Sequence, residues 1–270
     1  MSATIPTGHG NIPALGLGTS ALQGQSAYAS VRHALDVGYR HLDTAQMYRN
    51  ESEVGRALAD SAVDRDEVFL TTKILPGNAA PTEVAASTHD SLRRLRVDQV
   101  DLLLLHWPSE VAPLEDTLAA MARLVDEDKA RHIGVSNFPS QALERAVGIA
   151  PIANNQVEHH PYLAIDAIRE VADEHDLVIT AYCPLAQGQL LDDEVLADVA
   201  RAHDATVAQV ALAWLVQRGV AAIPKSATPA RIEENLGALD LALTDDELTR
   251  ISGLDRGLRL LDPPFAPAWD

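Results

Sequence analysis

The feature that most constrains the fold is a series of eight short apolar runs that alternate with helical segments. The runs are rich in Val, Ile and Leu and begin at intervals of mostly about 20 to 30 residues. They are the segments 14–18, 39–43, 68–73, 100–106, 131–136, 151–158, 177–183 and 220–225. The stretches between them, such as 27–38, 81–95 and 114–128, carry apolar residues at helical spacing. Near-continuous apolar strands that are each followed by a helix predict parallel strands covered on both faces.

The number of strand–helix units favours a closed (β/α)8 barrel, the TIM-barrel architecture of the α/β class. Such a barrel needs about 250 residues, and the chain has 270. No linker, charge block or low-complexity segment interrupts it, so residues 1–270 are predicted to form one domain. The longest interval, before the last strand, is predicted to hold two helices around 194–203 and 206–218.

Several residues mark predicted helix starts. Pro81 suits the first position of a helix. Thr206 with Gln209, and Thr244 with Glu247, have the spacing of capping boxes, in which the two side chains satisfy each other's backbone amides.

The segment GLGTSA (16–21) offers an alternative fold. It matches the glycine fingerprint of a doubly wound dinucleotide-binding domain, and Asp43 could act as its ribose-binding acid. That motif requires a helix to begin at the glycines, so that amides face the pyrophosphate. Here the first clear helix begins near Ser26, which favours the barrel.

The composition limits partners and location. The chain has 47% hydrophobic residues, 21 basic and 39 acidic residues, and a net charge of −18. This charge repels nucleic acid and anionic membranes. The single cysteine, Cys183, excludes an intrachain disulfide, and the N-terminal segment lacks the pattern of a secretory signal. We expect a cytoplasmic monomer whose partner is a small molecule.

Four ionisable residues lie at or just after neighbouring predicted strands: Asp43, Tyr48, Lys73 and His106. In a barrel of this kind the chemistry gathers at the carboxyl ends of the strands. Each residue has an ordinary alternative role, as a turn cap, a loop tyrosine, a solvated lysine or a histidine that covers the core. Their strand order nevertheless predicts that the four share one patch.

The chemistry that these four residues could share is proton donation to a carbonyl oxygen. A free tyrosine has a pKa of about 10, too high for an efficient acid at neutral pH. A lysine ammonium in contact with Tyr48 is expected to lower that pKa by about 1–3 units. Asp43 would hold Lys73 charged, and His106 would orient the carbonyl. The set supplies no hydride, so reduction would need a cofactor.

A second signal is a basic interval in an acidic chain. Residues 205–232 contain no Asp or Glu but include Arg218, Lys225 and Arg231. Thr228 is a candidate N-cap with Pro229 at the first helical position. Cations beside a helix N-terminus predict an anion site, although a chance basic gap is the alternative.

The chain resembles the aldo-keto reductases. The resemblance rests on GYRHLDTAQMYRNE, the lysine of TTK, LLLLHWP, IGVSNF, NQVEHHPY and IPKSATPARIEEN, and it runs from about residue 5 to the C-terminal PAWD. Within the family the chain is most similar to the bacterial 2,5-diketo-D-gluconate reductases, which often also reduce methylglyoxal. The resemblance implies that Tyr48 is the general acid, with Asp43, Lys73 and His106 as its partners.

The resemblance also implies an NADPH (NADP⁺) site. The nicotinamide would contact side chains at strand ends, although Ser136 or Asn137 could equally cap a helix and Tyr182 could fill the rim. The 2′-phosphate would lie in the basic interval, with the adenine near Glu234 and Asn235. The implied cofactor-binding residues are Thr19, Asp43, Ser136, Asn137, Gln156, Tyr182, Cys183, Leu185, Lys225, Ser226, Arg231, Glu234 and Asn235.

Departures from the family pattern bear on the substrate. Ser20 stands where many relatives carry Trp or Phe, and Cys183 where serine is frequent. The connection after His106 and the C-terminal tail are both short, so loops that could enclose a steroid are not expected. The substrate is expected to contact Ser20, Met47, Tyr48, His106 and Trp107, with Trp269 as further apolar lining.

Three functions remain to be distinguished. The first is NADPH-dependent reduction of small aldehydes, ketones, dicarbonyls or keto sugars, without a metal. The second is a non-catalytic NADPH-binding or sensing subunit. The third is a metal-dependent barrel enzyme using Asp43, His106, His159 and His160. Adjacent residues on a strand point to opposite faces, so His159 and His160 are not expected to share a metal.

Overall fold

The computed structural model describes residues 3–8 and 10–270. The described residues form ten strands: β1 (Thr4–Thr7), β2 (Gly10–Pro13), β3 (Leu17–Gly18), β4 (His41–Asp43), β5 (Phe69–Ile74), β6 (Val100–Leu105), β7 (Ala130–Ser136), β8 (Ile152–Glu158), β9 (Val178–Tyr182) and β10 (Val220–Ala222). The last eight correspond one for one to the apolar runs of the sequence, so their prediction is confirmed.

Strands β3 to β10 form one parallel sheet in chain order, and this sheet closes on itself. Closure is made by a bridge between Leu15 and Ala222, where the Gly16 amide donates to the Ala222 carbonyl at 2.9 Å. The TIM-barrel prediction is confirmed and the doubly wound alternative is wrong. Glycine at position 18 allows the first and last strands of the barrel to approach, because a Cβ there would lie 2.7 Å from the carbonyl oxygen of Ile223.

Helices surround the barrel. They are α1 (Gly24–Val37), α2 (Glu51–Ala59), α3 (Pro81–Leu95), α4 (Leu114–Asp126), α5 (Ser140–Val147), α6 (Asp166–Glu174), α7 (Glu194–Ala202), α8 (Val207–Gln217), α9 (Pro229–Leu236) and α10 (Asp245–Ser252). The predicted pair before the last strand is present as α7 and α8. Both predicted capping boxes are formed, at Thr206 and at Thr244, and α3 begins at Pro81.

The core follows from the strand composition. All six residues of β6 are buried, as expected for a strand covered by helices outside and by side chains inside the barrel. In the part of the chain that the structure describes, no helix has both the length and the apolar character needed to cross a bilayer.

An N-terminal hairpin, which the sequence analysis did not predict, covers one end of the barrel. Strands β1 and β2 pair antiparallel, and the Gly8 amide donates to the carbonyl of Asp176, just before β9 begins. Ile12 packs against Val178 and Ala221 at the starts of β9 and β10. The hairpin thus closes the amino-terminal end, and the site must lie at the carboxyl end.

Helices α2 and α3 approach closely at Gly55, and this contact generates a stability prediction. A Cβ on Gly55 would lie 2.5 Å from the backbone carbon and oxygen of Leu95. Helix propensity alone would make Gly55→Ala stabilising by about 0.5–1 kcal/mol. We expect the reverse, a loss of about 1–3 kcal/mol in the free energy of unfolding, because the helices must separate.

Chemical denaturation measures this difference. The matched control is Gly77→Ala, because a Cβ there meets nothing within 4 Å; its effect should stay within about 0.5 kcal/mol. A Gly55→Ala variant as stable as the wild type would contradict the packing described.

Candidate active site

The centre of the site is a buried ion pair between Asp43 and Lys73. Asp43 ends β4, and in the register of β4 with β5 it lies opposite Thr71. Lys73 lies two residues beyond Thr71 and therefore on the same face of the sheet. The Lys73 ammonium contacts Asp43 Oδ1, and the side chains are 0% and 1% exposed. Short apolar strands thus place two charged groups together inside the barrel.

The Lys73 ammonium connects this pair to Tyr48. Its Nζ donates to the Thr44 carbonyl at 3.0 Å and to Tyr48 Oη at 3.3 Å, in addition to Asp43. An ammonium has three donors, and here each finds an acceptor. Tyr48 lies at the end of a 3-10 turn, Gln46–Tyr48. Because the phenol oxygen accepts from lysine, the phenol hydrogen stays available for another acceptor.

The pKa of Tyr48 differs from the sequence expectation. Burial raises the pKa of Tyr48, and the Lys73 charge and hydrogen bond offset that effect only in part. Asp43 contributes in the raising direction, since its negative charge opposes formation of a phenolate. The expected net lowering is therefore wrong for this structure: Tyr48 keeps its proton at neutral pH. Burial also acts to lower the pKa of Lys73, but Asp43 and Tyr48 outweigh it and the pKa of the ammonium is raised.

His106 lies beside Tyr48, directly after β6. The two rings are 5.5 Å apart with an interplanar angle of 80°. Burial, together with the positive charge of Lys73, lowers the pKa of His106 well below its ordinary value. The imidazole is therefore neutral at physiological pH and carries a single N–H, which can donate to a carbonyl oxygen.

Two further side chains support this cluster: Gln156, which the sequence analysis assigned to the nicotinamide, and Asn50, which it missed. Gln156 Nε2 donates to Asp43 Oδ2 at 2.7 Å, from across the barrel. Asn50, which is fully buried, accepts from Thr44 Oγ1 at 2.7 Å and donates to the Thr19 carbonyl at 2.8 Å. For Asn50 the only sequence signal was its position two residues after Tyr48, which by itself indicates little.

The polar residues predicted at the ends of β7, β8 and β9 form one network. Tyr182 Oη donates to Asn137 Oδ1 at 2.7 Å, and Asn137 Nδ2 donates to the His106 carbonyl at 2.9 Å. Ser136 Oγ donates to the Gln156 carbonyl at 2.8 Å. The network lies beside the Asp43–Lys73 pair, and its amide and hydroxyl groups fit a nicotinamide carboxamide. Thr19 joins it by donating to the Asp43 carbonyl at 2.9 Å.

The predicted anion region lies beyond β10. Lys225 and Arg231 are exposed, and neither side chain forms an ion pair or hydrogen bond with a described residue. Thr228 occupies the N-cap position of α9 as predicted, but its side chain does not cap the helix. Ser226 Oγ instead accepts from the Thr228 amide at 3.0 Å. Two unpaired cations at a helix start fit a phosphate group.

Other residues predicted for this region, unlike Lys225 and Arg231, are engaged with protein groups or buried. Arg218 precedes β10 and so lies at the other end of that strand from Lys225. Its guanidinium carbon is 4.5 Å from the centroid of the Trp214 ring, and its Nη1 donates to Ser252 Oγ. Arg218 is therefore not part of the anion region. Glu234 accepts from Thr206 Oγ1 at 2.8 Å, and Asn235 is buried at the end of α9.

The remaining predicted residues surround the mouth. Ser20 and Met47 are exposed, Trp107 is buried, and Cys183 and Leu185 are half-buried. Burial raises the pKa of the Cys183 thiol to about 11. Trp107 lies edge-on to Trp269 at 6.3 Å, so the tail reaches the residue that follows His106.

Phe265, which the sequence analysis did not single out, adds a third aromatic ring at this edge. Its ring is 5.5 Å from that of Trp107, and the side chain is 59% exposed. The three aromatic rings form an apolar wall beside His106.

A metal-dependent enzyme, the third function considered above, would need the side chains of Asp43, His106, His159 and His160 to lie close together. His159 Nδ1 instead lies 2.8 Å from the Leu163 carbonyl oxygen, and His160 is bound to Glu158. Among the residues that the structure describes, no three or more His, Cys, Asp or Glu side chains are grouped to hold a metal.

Comparison with known proteins places this geometry in a family. A model of the aldo/keto reductase family matches residues 14–256. Methylglyoxal reductase DkgB of Salmonella typhimurium is 43% identical over 265 residues, covering 96% of this chain and 99% of the relative. An aldo-keto reductase of Mycolicibacterium smegmatis is 40% identical over 270 residues, covering 97% of this chain and 95% of the relative.

Solved structures of two reductases are similar to this chain over nearly its whole length. A crystal structure described provisionally as a 2,5-diketo-D-gluconic acid reductase B superposes with a TM-score of 0.97 at 41% identity, covering 100% of this chain and 98% of the other. The structure of the aldose reductase from Schistosoma japonicum superposes with a TM-score of 0.89 at 34% identity, covering 94% of this chain and 93% of the other. The chain therefore belongs to the aldo/keto reductase family, and it is an oxidoreductase that acts on carbonyl groups with a nicotinamide cofactor.

Proposed function

We propose that the protein is an NADPH-dependent reductase of small aldehydes, ketones, dicarbonyls or keto sugars, with Tyr48 as the general acid. The observation that supports this most directly is the arrangement around the Tyr48 hydroxyl. Its oxygen accepts from Lys73 Nζ at 3.3 Å, and the neutral His106 ring lies 5.5 Å from the Tyr48 ring. A carbonyl oxygen between Tyr48 and His106 would accept hydrogen bonds from both.

Reduction adds a hydride to the carbonyl carbon and a proton to its oxygen. The bound cofactor would supply the hydride. Tyr48 gives its proton to the oxygen, the product is the alcohol, and the phenolate left behind is held by the Lys73 ammonium. His106 orients the carbonyl and polarises it by donating its N–H. Asp43 keeps Lys73 charged, and Gln156 fixes the Asp43 carboxylate.

The preference for NADPH rests on charge. In a chain of net charge −18, a 2′-phosphate is repelled unless cations are placed for it. Lys225 and Arg231 are exposed and unpaired among the described residues. Arginine can hold a phosphate through two hydrogen bonds, and lysine adds a point charge.

The proposed substrate class is supported by the residues predicted to contact the substrate and by the names of similar proteins. Ser20 and Met47, which were predicted to contact the substrate, are exposed, and Trp107 is buried. A relative named methylglyoxal reductase and a structure described as a 2,5-diketo-D-gluconic acid reductase point to dicarbonyls and keto sugars.

The direct test is NADPH absorbance with a panel that includes methylglyoxal and 2,5-diketo-D-gluconate. Consumption of NADPH that persists with a chelator supports the proposal. Tight NADPH binding without turnover of any carbonyl would identify a sensing subunit instead.

Tyr48→Phe isolates the proton donor. The aromatic ring remains and only the hydroxyl is lost, so we expect kcat to fall by about 10²–10⁴-fold while the Kd for NADPH stays nearly unchanged. The control is Tyr28→Phe, whose hydroxyl binds Asp60 on the exposed surface. Retention of more than about a tenth of the wild-type kcat would remove Tyr48 from the role of acid.

Arg231→Ala tests the cofactor preference. Charge-assisted hydrogen bonds contribute roughly 1.5–3 kcal/mol, so the Kd for NADPH should rise about tenfold to a hundredfold. NADH lacks the phosphate, and its Kd should change far less. Titration at low and moderate salt should show the NADPH effect shrinking as salt screens the pair.

The matched control for this titration is Arg250→Ala, an exposed arginine at the end of α10, which should leave both affinities unchanged. If Arg231→Ala weakens NADPH and NADH equally, Arg231 supports the fold or the adenine, and the argument for NADPH fails.

A further inference from the structure

The turn that carries Tyr48 is fastened to strand β5 by the side chain of Gln46. Gln46 begins the 3-10 turn and is half-buried. Its Oε1 accepts from the Leu75 amide at 2.9 Å, just beyond the end of β5. Gln46 lies two residues before Tyr48, and Leu75 lies two residues after Lys73. One side-chain contact therefore links the backbone near the proposed acid to the backbone near its cation.

The orientation of the Gln46 amide group is fixed by its partners. A backbone N–H can only donate, so the Leu75 amide must face the oxygen of Gln46 and not its nitrogen. The same oxygen accepts from Asn78 Nδ2 at 3.0 Å. The nitrogen, Nε2, donates to Ser91 Oγ on α3 at 3.2 Å. Three partners thus engage both polar atoms of the side chain and hold it in one position.

The buried carboxylate of Glu51 supports the Ser91 end of this connection. Ser91 Oγ donates to Glu51 Oε2 at 3.3 Å, and Arg94 Nε donates to the same oxygen at 2.8 Å. The other carboxylate oxygen accepts from Thr72 Oγ1 on β5 at 2.6 Å. Glu51 is 2% exposed, and Ser91 and Thr72 are fully buried. Because hydrogen bonds to a charged group are strong, Ser91 is a fixed acceptor for Gln46.

The hydrogen bond that this arrangement controls joins Tyr48 Oη to Lys73 Nζ. The two atoms are 3.3 Å apart, at the long end of the hydrogen-bond range. Lys73 is held inside the barrel by Asp43 and by the Thr44 carbonyl. The carbonyl of Tyr48 accepts from Gln23 Nε2 at 2.8 Å, but that bond is exposed to solvent. The position of the phenol therefore depends on how firmly the start of its turn is held.

Resting on the reductase function proposed above, we propose that Gln46 is a positioning residue that keeps the Tyr48 hydroxyl within hydrogen-bond reach of Lys73. Both polar atoms of Gln46 are used by the protein, so it acts through the turn and not on the substrate. Displacement of a reacting group by about 1 Å can lower a rate about 100-fold. A turn released from Leu75 would lengthen the contact with Lys73, and the phenolate formed by proton transfer would lose part of its stabilisation.

Gln46→Met tests this role, because methionine has a similar length and volume but lacks the amide group. We expect kcat for the best carbonyl substrate of the wild type to fall about tenfold to a hundredfold. The KM and the Kd for NADPH should stay within about twofold, because the contact matters for proton transfer and not for binding.

The pKa of the phenol separates positioning from a general loss of structure. It can be measured with a fluorinated tyrosine at position 48 and ¹⁹F NMR. The Lys73 charge acts to lower the pKa of Tyr48, so a longer contact in Gln46→Met should raise that pKa. In a Lys73→Met background, Gln46→Met should add nothing further, because the contact it controls is already lost.

The matched control is Gln217→Met. Gln217 also binds a backbone segment through both polar atoms, since its Nε2 donates to the Leu243 carbonyl at 3.3 Å and its Oε1 accepts from the Leu243 amide at 2.8 Å. It ends α8 and precedes β10, so it lies at the amino-terminal end of the barrel, away from Tyr48. Its replacement should leave kcat and the pKa of the phenol unchanged.

Two results would overturn the inference. A kcat in Gln46→Met within about twofold of the wild type would show that the contact with Leu75 does not matter for the reaction. A lower kcat with an unchanged pKa of the phenol would show that Gln46 acts on the fold and not on the Tyr48–Lys73 contact. A wild type that reduces no carbonyl would overturn the reductase function instead, and the titration of the phenol would still test whether Gln46 holds this contact.

Discussion

The buried Lys73–Asp43 pair is the interaction on which the site depends. Two opposite charges in the interior are tolerated only when their remaining donors and acceptors are satisfied, and loss of one partner costs about 3–5 kcal/mol. Here Lys73 also binds Thr44 and Tyr48, and Asp43 also binds Gln156. The pair thus fixes the loop after β4, the turn that carries Tyr48, and the amide at the end of β8.

In the proposed reaction the same pair would set the electrostatics of proton donation by Tyr48. Burial is the main cause of the raised pKa of Tyr48; the charge of Lys73 acts against it, and Asp43 opposes the effect of Lys73. A tyrosine that keeps its proton at neutral pH is in the form that a reductase requires. The ammonium remains within hydrogen-bond reach to stabilise the phenolate as the proton leaves. In the proposed reaction Lys73 would therefore act mainly by stabilising the phenolate that forms, while the resting tyrosine stays protonated.

The barrel was predictable because apolar runs and helical spacing alternate without interruption, and four candidate residues were placed together because β4, β5 and β6 are neighbours. The N-terminal hairpin was missed because its strands are short and half-exposed. The direction of the Tyr48 pKa was missed because it depends first on how deeply the phenol is buried and then on the opposing charges of Lys73 and Asp43, which strand order does not reveal.

The most direct test of this account is the titration of Tyr48 itself. A fluorinated tyrosine at position 48, whose phenol titrates below the range of ordinary tyrosine, can be followed by ¹⁹F NMR in the wild-type background, in Lys73→Met and in Asp43→Asn. We expect the pKa of the phenol in the wild-type background to exceed that of the free amino acid. It should rise further in Lys73→Met, where the stabilising cation is lost, and fall in Asp43→Asn, where the opposing charge is lost. The same pKa in all three proteins would show that Tyr48 is not coupled to the ion pair, and the central claim would be wrong.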